Sequence, residues 1–292
     1  MTLALDTAEQ AAVPAPRSRV WGKLLRNRSA VVGGVLVVAF ALIAFVGPFV
    51  IPDDPVKTSW SLVRKAPSWS HWFGTDDLGR DVLARVIYGA RASLLAGVVS
   101  VTIAVSIGGP LGLIAGYFGG WIDAVISRCT EAMLACPFLI LAIALGSVLG
   151  ASLTNAMIAI GIAAAPIFTR LTRAQALAVK TEDYVEGARA IGLPDRWIII
   201  KYIVPNIFAP ILVQATLIIA QAIIAEASLS FLGLGQQPPA PSWGSMLNTG
   251  KNFLQQGQWW MSMFPGVGIF LTVLGFNLLG DGLRDALDPR ET

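Results

Sequence analysis

The chain has 292 residues, of which 55% are hydrophobic and only 13% charged, and its mean hydropathy is +0.67. Soluble domains carry roughly a quarter charged residues, so this composition excludes an ordinary soluble enzyme and points to a chain solvated mainly by lipid. The net charge of +3 is small and its basic residues fall in loops, which argues against nucleic acid as a partner.

The first 28 residues form a polar tail with Pro14 and Pro16, followed by Arg17, Arg19, Lys23, Arg26 and Arg28. The apolar run after it is too long for a signal peptide and has no cleavage site. Residues 29–52 carry no charge, and about 20 apolar residues suffice to cross a bilayer. This is span one. The basic residues before it predict a cytoplasmic N-terminus.

Residues 53–91 are polar and mixed, and are read with the first span as one N-terminal region. Trp60, Trp69 and Trp72 are amphipathic residues suited to headgroup level. Asp76, Asp77 and Asp81 lack the alternating spacing of a calcium loop, and the lone histidine, His71, is read as structural. The plainest account of this segment is a solvated linker whose acids and bases pair with each other.

A core transmembrane domain is expected over 92–281. Residues 92–122 are uncharged and give span two, with Gly108, Gly112, Gly116 and Gly120 at every fourth position. That spacing lays small residues along one helical stripe, packed against a partner subunit or against the chain's own helices. Asp123, Arg128 and Glu131 read as a short amphipathic connection. Residues 132–169 run 38 positions without charge, which predicts spans three and four with a turn near Gly150, Ala151, Ser152 and Asn155. Cys129 and Cys136 fit no zinc or redox spacing and are expected to be packing residues.

Residues 181–206, TEDYVEGARAIGLPDRWIIIKYIVPN, are the longest charged segment between apolar neighbours. Glu182 and Asp183 suit a first helical turn, and Gly192 suits the left-handed closure of a helix. Pro194 then fits the start of a second short helix, and Pro205 is expected to break it. The segment reads as a helix–glycine–helix surface that a partner grips, or as an ordinary amphipathic loop. Span five follows from Asn206 past Ala225, where Glu226 interrupts it. An intramembrane carboxylate marks a pathway or a buried partner; the alternative is an interfacial residue capped by neighbouring hydroxyls. An external loop over 236–260 carries Pro238, Pro239 and Pro241, span six covers 261–280, and 282–292 form a short tail.

Six spans place both termini on one side. On that side fall 14 lysines and arginines, against seven on the other, so positive-inside reasoning puts the termini and the 181–206 loop in the cytoplasm. The search for catalytic chemistry is negative. The stretch from Gly244 to Lys251 lacks the spacing and the following hydroxyl residue of a phosphate-binding loop. One histidine permits no HExxH, and no GxSxG occurs. No catalytic residue and no metal site is assigned.

Four separated motifs carry a resemblance. Glu186-Gly187-Ala188, then Gly192 after three residues, Tyr202 after nine more, and Pro205 resemble the EAA loop of ABC importer permeases. Gly187 stands where that loop has its first alanine, Tyr202 replaces an aliphatic residue, and Val204 a leucine. FGTDDLGRDVLARVIYGARASL, from Phe73, resembles the stretch before the second span in C-type permease subunits of dipeptide and oligopeptide importers. EASLSFLGLGQQPPAPSWGSML, from Glu226, and LGDGLRDALDPR, from Leu279, resemble the same permeases.

The resemblance implies an all-α, polytopic, six-span subunit with the type I ABC importer permease fold. It implies a second, B-type permease, two ATPase subunits inside that hold ATP and magnesium, and a substrate-binding protein outside. The chain itself would bind no cofactor. Glu186, Gly187, Ala188, Gly192 and Pro205 would form the coupling element docked on an ATPase, and substrates would be short peptides, nickel chelates, glutathione or other small solutes moved by alternating access. A self-powered secondary transporter would need more ionisable residues in its spans and inverted repeats, and a membrane-embedded hydrolase a nucleophile and base.

Overall fold

The computed structural model describes residues 17–51 and 53–287. Pro14, Pro16 and Arg290 lie outside these residues. Every regular element among the described residues is helical, apart from one isolated bridge between Thr75 and Asp81.

The N-terminal helices are α1 (Arg17–Arg26), α2 (Arg28–Phe45) and α3 (Gly47–Val50). Asn27 starts α2 by accepting the N–H groups of Ser29 and Ala30, which have no partner inside the helix. Its amide also donates to Asp285 across 2.9 Å, so the start of α2 and the end of the last helix share one face of the bundle.

Span two is longer than the uncharged run. Helix α4 (Val82–Phe118) begins at the Asp81 cap, whose carboxylate accepts the Ala84 N–H at 2.8 Å. The acids and bases before it do pair, but the segment is no solvated linker: Asp76, Arg80 and Arg85 are all buried. Arg80 Nε donates to Asp76 at 2.6 Å, Arg85 Nε lies 3.4 Å from the same carboxylate, and Arg85 Nη1 donates to the Pro55 carbonyl at 2.8 Å. His71 Nδ1 sits 2.9 Å from Asp81. Trp60, Trp69 and Trp72 are exposed.

The glycine stripe is satisfied within the chain. Gly108, Gly112 and Gly116 of α4 press against the backbone of Ala165, Thr169 and Arg173 on α7 (Leu153–Lys180), where a Cβ would collide with the carbonyl oxygens. Such close approach lets two backbones pack without intervening side chains. Gly120 departs from the stripe: with Gly119 it has positive φ, in the turn into α5 (Gly120–Leu134).

Two expectations for spans three and five need correction. Asp123, Arg128 and Glu131 lie within α5, not in a connection, and α6 (Phe138–Leu149) follows after a 93° bend. Pro137 causes the break, because the residue before a proline is pushed out of helical geometry. At 1.5 Å per residue α6 is only about 18 Å long, too short to cross alone. Cys129 is exposed on α5 and does not pack inside. Nor does Pro205 interrupt its helix. After α8 (Asp183–Ala190), α9 (Asp195–Ile198) passes through a π-turn at Ile199–Ile203 into α10 (Val204–Phe231). There the Val204 N–H reaches back to the Ile199 carbonyl, and Pro205 occupies the first turn of α10, where its missing N–H costs nothing.

The 236–260 loop contains a helix that hydropathy does not reveal, α11 (Trp243–Lys251), opened by a reciprocal Ser242–Ser245 capping box. Helix α12 (Trp260–Leu287) is the last element among the described residues. Among the described residues five helices are long and apolar enough to cross a membrane, and the bent α5–α6 pair makes a sixth crossing if taken as one. Valines and phenylalanines such as Val35, Val38, Phe208 and Phe270 stay exposed around the bundle, as expected for a surface solvated by lipid. The interior holds three apolar clusters: around Trp243 and Trp260 at one end, around Ile160 and Phe168 in the middle, and around Tyr117 and Ile198 at the other.

Candidate functional site

The 181–206 segment folds as a knuckle at the end of α7. Asp183 and Glu186 occupy the first turn of α8, where acids favour the helix dipole. At the other end Gly192 takes φ +77°, its N–H bonds to the Arg189 carbonyl, and the Leu193 N–H reaches the Ala188 carbonyl at 3.1 Å. This pair of bonds is the Schellman closure, and its left-handed position is the reason for glycine there. Pro194 then caps α9.

Val185, Ala188, Ile198 and Ile203 turn inward and join the cluster around Tyr117. Two contacts with Tyr117 lock the knuckle to the bundle: the Tyr117 hydroxyl donates to Asp195, and the Arg189 guanidinium lies 6.0 Å from the Tyr117 ring; beside them Lys180, at the end of α7, donates to the Tyr117 carbonyl at 2.5 Å. The outward face presents Glu182, Asp183, Glu186, Arg189 and Arg196 around Tyr184, Ile191, Trp197 and Ile200, all exposed. Partial burial, joined by the charge of Glu182, pushes the Tyr184 phenol up from its ordinary range. Of the residues singled out by sequence, Glu186, Gly187 and Gly192 share this outer face. Ala188 is buried beneath it, and Pro205 stands exposed beyond the π-turn. A Cβ at Gly187 would meet nothing within 4 Å.

Glu226 is fully buried in α10. Ser93 of α4 donates to one carboxylate oxygen at 3.0 Å, and Ser230, one turn along, donates to the other at 2.7 Å. The Ser230 hydroxyl in turn accepts the Gln236 N–H at 3.0 Å, so the acid joins two spans to the loop that follows. Ser242 is also fully buried in this region.

A third polar site escaped sequence reading because its residues are far apart in the chain. A cavity of about 410 Å³ opens between α5 and α7, lined among others by Ser127, Thr130, Glu131, Thr169, Arg170 and Arg173. Arg173 forks onto Asp123, with Nη2 at 2.7 Å, and Arg128 holds Glu131 at 3.0 Å. Among the described residues no group of three or more histidines, cysteines and acids is placed to hold a metal ion.

The comparisons with known proteins decide the family. Residues 108–292 match the family described as binding-protein-dependent transport system inner membrane component, which is more than half of the chain. This chain belongs to that family. Residues 16–67 match the N-terminal TM domain of oligopeptide transport permease C. The chain is 47% identical over 282 residues to the dipeptide transport system permease protein DppC of Alkalihalophilus pseudofirmus, covering 97% of this chain and 92% of that protein. It is 41% identical to the glutathione transport system permease protein GsiD of Pectobacterium atrosepticum, over 99% of this chain and 96% of the relative.

Among solved structures, an inward-facing MetNI methionine ABC transporter chain matches with a TM-score of 0.58 at 19% identity, covering 69% of this chain and 96% of the other. At that identity the match speaks for the fold, an ABC importer permease bundle. The inner-membrane component is thus a multi-pass membrane subunit of a multi-component transport system.

Proposed function

We propose that this chain is one permease of an ATP-driven importer that carries short peptides across the cytoplasmic membrane by alternating access. It pairs with a second, B-type permease, receives substrate from an extracytoplasmic binding protein, and is driven by two ATPase subunits that bind ATP and magnesium. The chain itself is non-catalytic, and its N-terminus and knuckle face the cytoplasm. The dipeptide permeases among its relatives support the substrate class. The glutathione permeases, at 41–42% identity, favour glutathione, itself a short peptide, as the second reading.

The observation that carries the proposal is the knuckle. Its inner face is fastened to α4 and α7, and its outer face offers acids around exposed aromatic and aliphatic side chains. Charged rims steer partners and apolar centres hold them. Closure of an ATPase dimer against Glu186 to Gly192 is then transmitted into α7 and α10.

Coexpression and co-purification test this reading. Glu186→Arg or Gly192→Pro is expected to release the ATPase subunits while the second permease stays. An intact chain that brings down no ATPase and still moves solute in liposomes would sink it.

A further inference from the structure

The cavity between α5 and α7 lies on the knuckle side of the bundle. Arg170 stands ten residues before the end of α7 at Lys180, about 15 Å along the helix axis. Its volume of about 410 Å³ falls within the ~300–1,000 Å³ typical of small-molecule sites.

Its charges are unevenly spent. Arg173 is taken by Asp123 and Arg128 by Glu131. Among the described residues no carboxylate lies within ion-pair distance of Arg170, which is exposed at the cavity wall. A charged residue within a membrane span faces a water-filled cavity or a partner, because lipid cannot solvate it.

The hydroxyls are spent in the opposite sense. Ser127 donates to Asp123, Thr130 to the Ile126 carbonyl and Thr169 to the Ala165 carbonyl. Each thus uses its one proton inside the chain and presents only oxygen lone pairs. The wall therefore offers one free guanidinium for an anion and several acceptors for N–H groups. That is the complement of a short peptide's carboxylate end.

We infer that this cavity is a binding station for that end of the peptide on the inner part of the translocation path, with Arg170 receiving the carboxylate. The Ser127, Thr130 and Thr169 oxygens receive its N–H groups. The inference rests on the importer reading above.

The test uses the assembled complex with Cys129→Ser, Cys136→Ser and a reporter cysteine at the cavity-lining Ala135→Cys, with Leu134→Cys as a second reporter should the first disturb folding. Dialanine is expected to slow labelling by a polar thiol reagent, and its C-terminal amide to slow it far less. Arg170→Gln should abolish the protection and lower dialanine uptake about ten- to a hundredfold, the range for one charge-assisted hydrogen bond, with all partners still co-purifying. Equal protection by the amide, or protection and uptake that persist in Arg170→Gln, overturns the inference and leaves the importer reading standing. Loss of the second permease from Arg170→Gln also overturns it, because Arg170 then serves the subunit interface. A wild-type complex that holds no ATPase and moves no peptide removes both.

Discussion

Trp243 donates its indole N–H to the backbone carbonyl of Val86 across 2.9 Å. A helix in the loop between the last two spans is thereby hung on the first turns of α4. The ring is fully buried, stands edge-on to Phe40 with centroids 5.9 Å apart, and crowds Gly268, where a Cβ would lie 3.0 Å from the indole. Trp243→Phe keeps most of the packing and loses the hydrogen bond, an expected cost of about 1 kcal/mol. Trp243→Ala empties the site and is expected to cost about 3–5 kcal/mol. Thermal unfolding of the purified protein in detergent measures both; equal melting temperatures for the two variants would contradict the assignment.

The contact between α4 and α7 predicts a contrast between neighbouring glycines. Gly112→Val should splay the two helices and abolish expression of folded protein, because the Thr169 carbonyl already occupies the place of the new side chain. Gly109→Ala, where nothing lies within 4 Å, should express and melt like the parent. Size-exclusion profiles after membrane extraction distinguish the two.

Glu226 is expected to tolerate replacement by its amide better than removal of the side chain. Glu226→Gln retains an oxygen for one of the two serine hydroxyls. Glu226→Ala strands both Ser93 and Ser230, at about 1–3 kcal/mol for each unsatisfied group. Because Ser230 also holds the Gln236 N–H, limited proteolysis within 233–241 should accelerate in Glu226→Ala and stay near the parent rate in Glu226→Gln.

The two exposed glycines of the knuckle should respond in opposite directions. Gly187 lies inside α8 with open space around it, so Gly187→Ala should stabilise the helix by about 0.5–1 kcal/mol. Gly192 has φ +77°, and Gly192→Ala should cost about 1–2 kcal/mol. Hydrogen exchange at the amides of residues 185–193 reads the difference directly.

Much of this was legible because lipid imposes a simple rule: long uncharged runs become spans, and α2, α10 and α12 were found by that rule. The Gly192 closure and the glycine stripe were also visible, since each rests on a local property of glycine. What hydropathy missed depends on contacts distant in sequence. Residues 82–91 look like a polar linker until Arg85 finds Asp76 and the Pro55 carbonyl. Helix α11 looks like loop because its buried tryptophan is surrounded by glycines, serines and prolines. The α5–α6 bend was hidden by an uncharged run in which one proline, Pro137, outweighs the hydropathy of its neighbours. Pro205 misled in the other direction: a proline is disruptive only where its N–H is needed, and the π-turn before it removes that need. The Arg170 cavity could not be read at all, since neither α5 nor α7 forms it alone.

The unbroken passage from α9 through the π-turn into α10 gives the knuckle a long lever arm. From Asp195 to Phe231 there are 37 residues, about 55 Å at helical rise. A tilt of about 10° at the Asp195 end swings the Phe231 end by about 10 Å on that length, roughly the diameter of a helix. In the proposed importer, a small displacement of the knuckle is thus amplified into a helix-sized movement at the far end of α10, at the very loop that Glu226 and Ser230 hold in place.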